Sequence, residues 1–182
     1  MYKVPVTWTG RLDSVTELPG VAIFDEFYHE AWNLGIVDSR PLSIIIVGVS
    51  RVDNAELKTI GKALTESVGR VLDMVARIDA RQFGMVLPDT DLEGALAVAE
   101  RMQEAIRKAT ENRPVEIYIG VSSIVPNPRG NATSMMALVR RALQAARQGG
   151  DGQIGYIGKD GKVVLGKPAV SDDSDELDWE LI

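Results

Sequence analysis

The chain predicts an α/β domain, a mixed central sheet flanked by helices, and three observations carry that prediction. Pro41 to Val49 is an uninterrupted aliphatic run, the composition of a central strand covered on both faces. Met74–Val75 and Phe83–Leu87 are apolar runs on either side of a short polar stretch, and Pro88 stops the second, so they read as two strands of a hairpin. Around these strands apolar residues recur at helical spacing. The resulting order, β-α-β-β-α-β-α-β, is a split βαβ arrangement with a ferredoxin-like βαββαβ core.

The elements follow in chain order. Residues 1–10 alternate, with Tyr2, Val4, Val6 and Trp8 opposite Lys3, Pro5 and Thr7, and Pro5 confines such a strand to an edge or an extended arm. Val21 to Leu34 carries Ile23, Phe24, Phe27 and Trp32 at helical spacing and is expected to close at Gly35. After the aliphatic strand, Asp53 or Asn54 can cap a helix whose inward residues are Leu57, Ile60, Leu64, Val68 and Leu72. Beyond the hairpin a helix runs from Asp89–Glu93 to about Thr110, with Leu92, Ala95, Val98, Met102 and Ile106 inward. Val115–Val121 is the next strand and 131–148 the next helix. Residues 153–157 and 162–165 form a terminal hairpin around Asp160-Gly161.

Composition narrows function. A length of 182 residues with 45% hydrophobic content suits one domain, expected over 13–167, with an arm at 1–12 and a flexible tail at 168–182. No run has the length of a membrane span or the layout of a signal peptide, so a cytoplasmic protein is expected. Zero cysteines exclude disulfides and thiolate zinc sites, and the single histidine, His29, sits in a helical pattern as an ordinary helix residue. The net charge of −6 belongs to the tail, where Asp172, Asp173, Asp175, Glu176, Asp178 and Glu180 leave 26 − 6 = 20 acids against 20 bases elsewhere. A neutral body without a basic stripe argues against nucleic-acid binding.

The stretch richest in chemistry is Arg70 to Gly84, R-V-L-D-M-V-A-R-I-D-A-R-Q-F-G. Its turn holds Asp79, Ala80, Arg81, Gln82 and Phe83. Paired glycines in such a turn would let backbone approach a phosphate or base closely, and paired carboxylates could hold hard cations. Ala80, Arg81 and Gln82 offer neither. Upstream, Arg70 and Asp73 form an Arg-x-x-Asp, which on a helix is commonly only a surface ion pair.

The frame R-I-D-A-R-Q-F-G-M-V-L-P resembles the signature turn of GGDEF domains, the cyclases that make cyclic di-GMP from two GTP. The resemblance extends over residues 13 to 158: Asp13-Ser-Val-Thr-Glu-Leu-Pro19 is similar to the family's opening motif, Ile119-Gly-Val-Ser122 to S-I-G-V-A, and Ala142–Arg147 to A-L-Y-x-A-K. It implies a GGDEF, nucleotidyl cyclase-like fold. Residues 79–83 stand where the family has Gly-Gly-Asp/Glu-Glu-Phe, and only Phe83 matches. Gly48 and Ser50 stand where the family's first strand has its Asp-x-Asp, and the segment following that strand is shortened. The resemblance therefore implies a cyclase site without metal carboxylates, no catalytic residues and no required cofactor, because phosphoryl transfer depends on metal clamping. Asp79 or Asp53 as replacement metal ligands is the weaker alternative, and Arg147, at a phosphate-contacting lysine's place, is read as a surface charge.

In the same family an inhibitory cyclic di-GMP site, the I-site, is an Arg-x-x-Asp five residues before the signature turn. Met74–Ile78 is that spacer, so the resemblance assigns ligand binding to Arg70 and Asp73, with Arg101 as the second arginine. Guanidinium forks grip phosphate or a guanine edge, and a carboxylate accepts from guanine N–H groups. The implied function is a catalytically inactive cyclic di-GMP receptor that signals to a protein partner, with a ligand-bridged homodimer also implied. The alternative is a ligand-independent interaction or scaffold module. In the tail, Leu177, Trp179, Leu181 and Ile182 are large apolar residues among acids, the pattern of a docking peptide for a partner, with a solubilising tail or one packed back on its own domain as the alternative.

Overall fold

The computed structural model describes residues 11–166. The arm strand expected over 1–10 and the tail residues Leu177, Trp179, Leu181 and Ile182 lie outside the described residues. Within them the chain forms α1 (Val21–Asp38), β1 (Leu42–Ser50), α2 (Asn54–Ser67), β2 (Met74–Asp79), β3 (Gln82–Pro88), α3 (Leu92–Ala109), β4 (Glu116–Ile124), α4 (Ala132–Gly149), β5 (Ile154–Ile157) and β6 (Val163–Leu165). One sheet runs β2-β3-β1-β4-β5-β6, so the first four strands have the split βαβ order. Among the described residues no helix is long and apolar enough to cross a membrane.

The aliphatic run becomes β1, paired antiparallel to β3 on one side and to β4 on the other. Alternation explains why every side chain of Leu42–Val49 is buried. Ile45, Val47 and Val49 meet α2 and α3 through Leu57, Ile60, Leu64 and Met102, whereas Leu42, Ile44 and Ile46 meet α1 and α4 through Phe24, Trp32, Met135 and Val139. Both faces of the sheet are therefore roofed by helices, and the two ends carry the loops.

Local chemistry sets the helix starts. Asp53 takes the cap of α2: its Oδ1 accepts from Glu56 N at 2.9 Å while Glu56 Oε2 accepts from Asp53 N at 2.8 Å, a reciprocal capping box. Asp91 caps α3 through Gly94 N, and Asn131 caps α4 through Thr133 N.

Two helix ends differ from expectation. The first helix does not close at Gly35 but runs to Asp38, where Ser39 takes the left-handed conformation at φ 52°. Gly35 serves packing instead, because a Cβ there would lie 2.8 Å from Pro126 Cγ. The second helix stops at Ser67, short of the expected Leu72. Val68 is already extended and packs its side chain on the core, which ends the helical period, so Leu72 is 66% exposed rather than inward.

Helix α4 rides closely on β4 and β5. A Cβ on Gly120 would sit 2.5 Å from Leu143 N and 2.6 Å from Val139 O, and one on Gly155 would sit 2.3 Å from Ala142 O. Glycine is required there by proximity of backbone to backbone.

The chain's entry is tied to the hairpin by one ion pair. Asp13 Oδ1 accepts from Thr16 N and Thr16 Oγ1, each at 2.8 Å, and from Arg77 Nη1 at 2.9 Å, while Arg77 Nη2 donates to Ala80 O at 2.8 Å. Burial pushes the Asp13 carboxyl up, but the Thr16 and Arg77 hydrogen bonds outweigh it and hold the group below its ordinary 3.8. A depressed folded-state value gives stability that is present above 3.8 and lost as pH falls through the lower folded value. Arg77→Met is expected to cost about 1–3 kcal/mol at neutral pH in urea unfolding, with the difference from wild type shrinking as Asp13 protonates. Equal unfolding midpoints at pH 7 would remove the pair from the account of stability.

Candidate functional site

Two loop clusters, at opposite ends of the β2–β3 hairpin, hold the residues singled out by sequence. The first is the α2–β2 connection. Arg70 and Asp73 are not on a helix, as the surface-pair reading required, but in a turn closed by Asp73 N donating to Arg70 O at 3.2 Å. The Arg70 guanidinium Nη1 reaches the β3–α3 connection, where it donates to Asp89 O at 3.1 Å and to Thr90 Oγ1 at 3.2 Å. Arg101 comes from α3 and donates its Nε to Ser67 O at 2.8 Å, at the last turn of α2. Three separated positions thus converge.

Between the two arginines lies Asp73, only 5% exposed. Burial pushes its carboxyl up, against the opposing pull of a hydrogen bond from the Arg70 backbone and of the Arg70 and Arg101 charges. Neither arginine makes a direct ion pair with it among the described residues. Such a carboxylate is an acceptor held in a poorly hydrated place beside guanidinium forks, a combination suited to a ligand carrying both N–H groups and phosphate. Val71, between Arg70 and Asp73, is 95% exposed. Sequence reasoning missed Thr90, Asp89 and Ser67, whose oxygens orient the arginines; a carbonyl has no signature in sequence.

The second cluster is the turn end of the hairpin. Asp79 pairs with Gln82, leaving Ala80 and Arg81 as a two-residue turn. No residue from Asp79 to Phe83 has positive φ. The register shifts between Arg77 and Asp79, an irregularity at Ile78 that closes the turn without the left-handed backbone a glycine pair would supply. Asp79 Oδ1 accepts from Ala80 N at 2.7 Å. Phe83 is fully buried on the α2/α3 side, so it works as core.

Beside this turn, Gly48 on β1 lies between Gln82 of β3 and Tyr118 of β4. Tyr118 lies across it: a Cβ on Gly48 would be 2.2 Å from Tyr118 Cε2. The Tyr118 hydroxyl is 3.0 Å from Ser50 Oγ, and the Arg147 guanidinium stands 5.5 Å from the ring centroid. Arg147, read from sequence as a surface charge, is exposed and also caps an aromatic ring. The space over Gly48 and next to Ser50 Oγ is thus taken by Tyr118. Asp53, an alternative ligand on paper, is committed to its cap and to Arg113 Nη1 at 2.8 Å, and these contacts, the Glu56 N–H first, lower its pKa. Among the described residues no group of three or more His, Asp or Glu side chains is placed to hold a metal ion.

Sheet order, signature-like hairpin and the loop that precedes it by five residues define one class of domain. A family model described as "Diguanylate cyclase, GGDEF domain" matches residues 11–153, and the chain belongs to that family. Over 109 residues it is 28% identical to "Probable diguanylate cyclase DgcT" of Escherichia coli (strain K12), covering 57% of this chain and 24% of that protein, so the chain spans about a quarter of that relative's length. In structure it is similar to diguanylate cyclase SiaD from Pseudomonas aeruginosa, solved in complex with its activator SiaC (TM-score 0.71, 17% identity, 80% of this chain and 61% of that one). It is also similar to the coiled coil and GGDEF domain of DgcB from Caulobacter crescentus in complex with c-di-GMP (TM-score 0.68, 16% identity, 80% of this chain and 85% of that one). At these identities the likeness is one of fold.

Proposed function

We propose that this GGDEF domain has no cyclase activity and receives cyclic di-GMP at Arg70, Asp73 and Arg101, passing the occupied state to a protein partner. The observation that carries the reading is the convergence of the two arginines on the buried Asp73 carboxylate, at the motif's own spacing from a hairpin beside whose turn Tyr118 covers Gly48. The DgcB domain solved with c-di-GMP supports a ligand of that kind, and the SiaD–SiaC complex supports a protein partner for the fold. Two GTP molecules and their metals would need the carboxylates that Gly48, Ser50, Arg81 and Gln82 replace.

Two measurements test it on one protein sample. Calorimetric titration with cyclic di-GMP is expected to give a micromolar or tighter dissociation constant, roughly −8 kcal/mol or better, with self-association if the ligand bridges two loops. Incubation with GTP and magnesium or manganese is expected to release neither pyrophosphate nor cyclic di-GMP. A flat titration would leave a ligand-independent scaffold, and chelator-sensitive product would restore an enzyme.

A further inference from the structure

We propose that the acidic segment following Gly166 docks, within its own chain, into the cationic cleft beside the signature hairpin. This does not rest on the cyclic di-GMP reading, whose loop lies at the other end of β2 and β3. The cleft encloses about 170 Å³ and is lined by Gln82, Tyr118, Arg140, Leu143, Gln144 and Arg147. Arg140 and Arg147 are exposed on one side of α4, and Arg81 is exposed on the adjoining turn. None of the three has a carboxylate partner among the described residues. Of the neighbouring acids, Glu116 is paired with Arg51 at 3.6 Å and Asp79 accepts from Ala80 N within its own turn.

A second feature selects the chemistry of the occupant. Gln82 Oε1 is buried and has no hydrogen-bond partner, an acceptor left waiting for a donor. An inorganic anion would answer the arginines and leave that oxygen unpaired. A peptide rich in Asp and Glu answers both, since it brings carboxylates for the guanidinium groups and N–H groups, a tryptophan indole among them, for the amide oxygen once the Gln82 side chain turns toward the cleft.

The chain's own route supplies such a peptide. Gly166 N donates to Ile154 O at 2.9 Å, at the start of β5, and Ile154 pairs with Ile119, the neighbour of Tyr118 on β4. The chain therefore leaves the described domain two strands from Tyr118, about 10 Å away, at the same end of the sheet. Asp172 follows after 172 − 166 = 6 residues, about 20 Å of extended chain. Residues 168–182 hold six acids, no base, and the apolar Leu177, Trp179, Leu181 and Ile182. Tethering makes the encounter intramolecular, with an effective concentration near millimolar, so weak charge pairs suffice. A protein partner would then compete with the cleft for Trp179.

The absence of cysteine lets Ser174→Cys carry a single nitroxide label on the full chain. In amide spectra of the ¹⁵N-labelled protein, signals of residues 81, 82, 118 and 140–147 are expected to be quenched relative to the reduced label. Arg140→Glu with Arg147→Glu, or about 1 M salt, where the screening length is about 3 Å, should return them to the reduced-label intensity. The dispersion of all other amides in the same spectra checks that the double variant folds, and Arg140→Gln alone serves if it does not. Quenching centred elsewhere, none at all, or quenching that survives both treatments overturns the proposal. So does quenching of the same residues in an unlabelled ¹⁵N chain mixed with a spin-labelled ¹⁴N chain, which would make a second copy the occupant.

Discussion

Arg70→Ala and Arg101→Ala are each expected to weaken cyclic di-GMP binding by about two orders of magnitude, about 2.7 kcal/mol, because each removes a charge-assisted fork beside the buried Asp73 carboxylate. Asp73→Ala should remove most of the remainder. A sharper result is expected from Asp73→Asn. The carboxyl of Asp73 is raised by burial, so above its ordinary value of 3.8 the folded state holds the proton more tightly than the unfolded chain does. Ionising it therefore costs stability as pH rises from 3.8 through the higher folded value, and an amide of the same shape escapes that cost. Asp73→Asn should bind the ligand more weakly yet unfold at higher urea than wild type at pH 7, with the gap closing towards pH 4. An amide variant no more stable than wild type at neutral pH, or one that binds as well, would show that the buried carboxylate is not kept for a ligand.

Gly120→Ala is expected to be among the most damaging methyl additions in the described domain. Its Cβ would meet Leu143 N and Val139 O, which are backbone atoms of α4 and cannot rotate aside, so the helix must lift from β4. A loss of about 3 kcal/mol or more follows, large against a total of 5–15 kcal/mol for a domain. Gly155→Ala, aimed at Ala142 O, should behave alike. Gly69→Ala is the control: nothing lies within 4 Å and its φ is not in the left-handed region, so it should be neutral or stabilising by a few tenths of a kcal/mol. Coincident urea midpoints for Gly120→Ala and wild type would mean that α4 is not seated as described.

Periodicity was enough for the scaffold. The aliphatic run of β1, the two apolar runs of β2 and β3, and the helical spacing of Ala95, Met102 and Ile106 each report which side of an element is buried, a property of the segment alone. Helix ends were less legible. Gly35 looks like a terminator in sequence and is a contact for Pro126, 126 − 35 = 91 residues away, and Val68 fits the helical period while already extended. The candidate site was legible only through spacing compared with a family. That spacing named Arg70, Asp73 and Arg101, but not the carbonyls of Ser67 and Asp89 that aim the arginines. Tyr118 escaped notice because its place over Gly48 depends on the register between β1 and β4, a non-local fact that neither strand carries by itself.

That tyrosine also sets the order in which this corner of the sheet could be rebuilt. A side chain at position 48 would begin 2.2 Å from Tyr118 Cε2, so an aspartate placed there requires the ring to move first. Shrinking the ring first empties the space, strands the Arg147 guanidinium above it and leaves Ser50 Oγ without its 3.0 Å neighbour, all before any metal could compensate. Any route to a carboxylate at position 48 therefore passes through a less stable variant. Tyr118 thus acts as a latch on this corner of the sheet, holding position 48 to glycine.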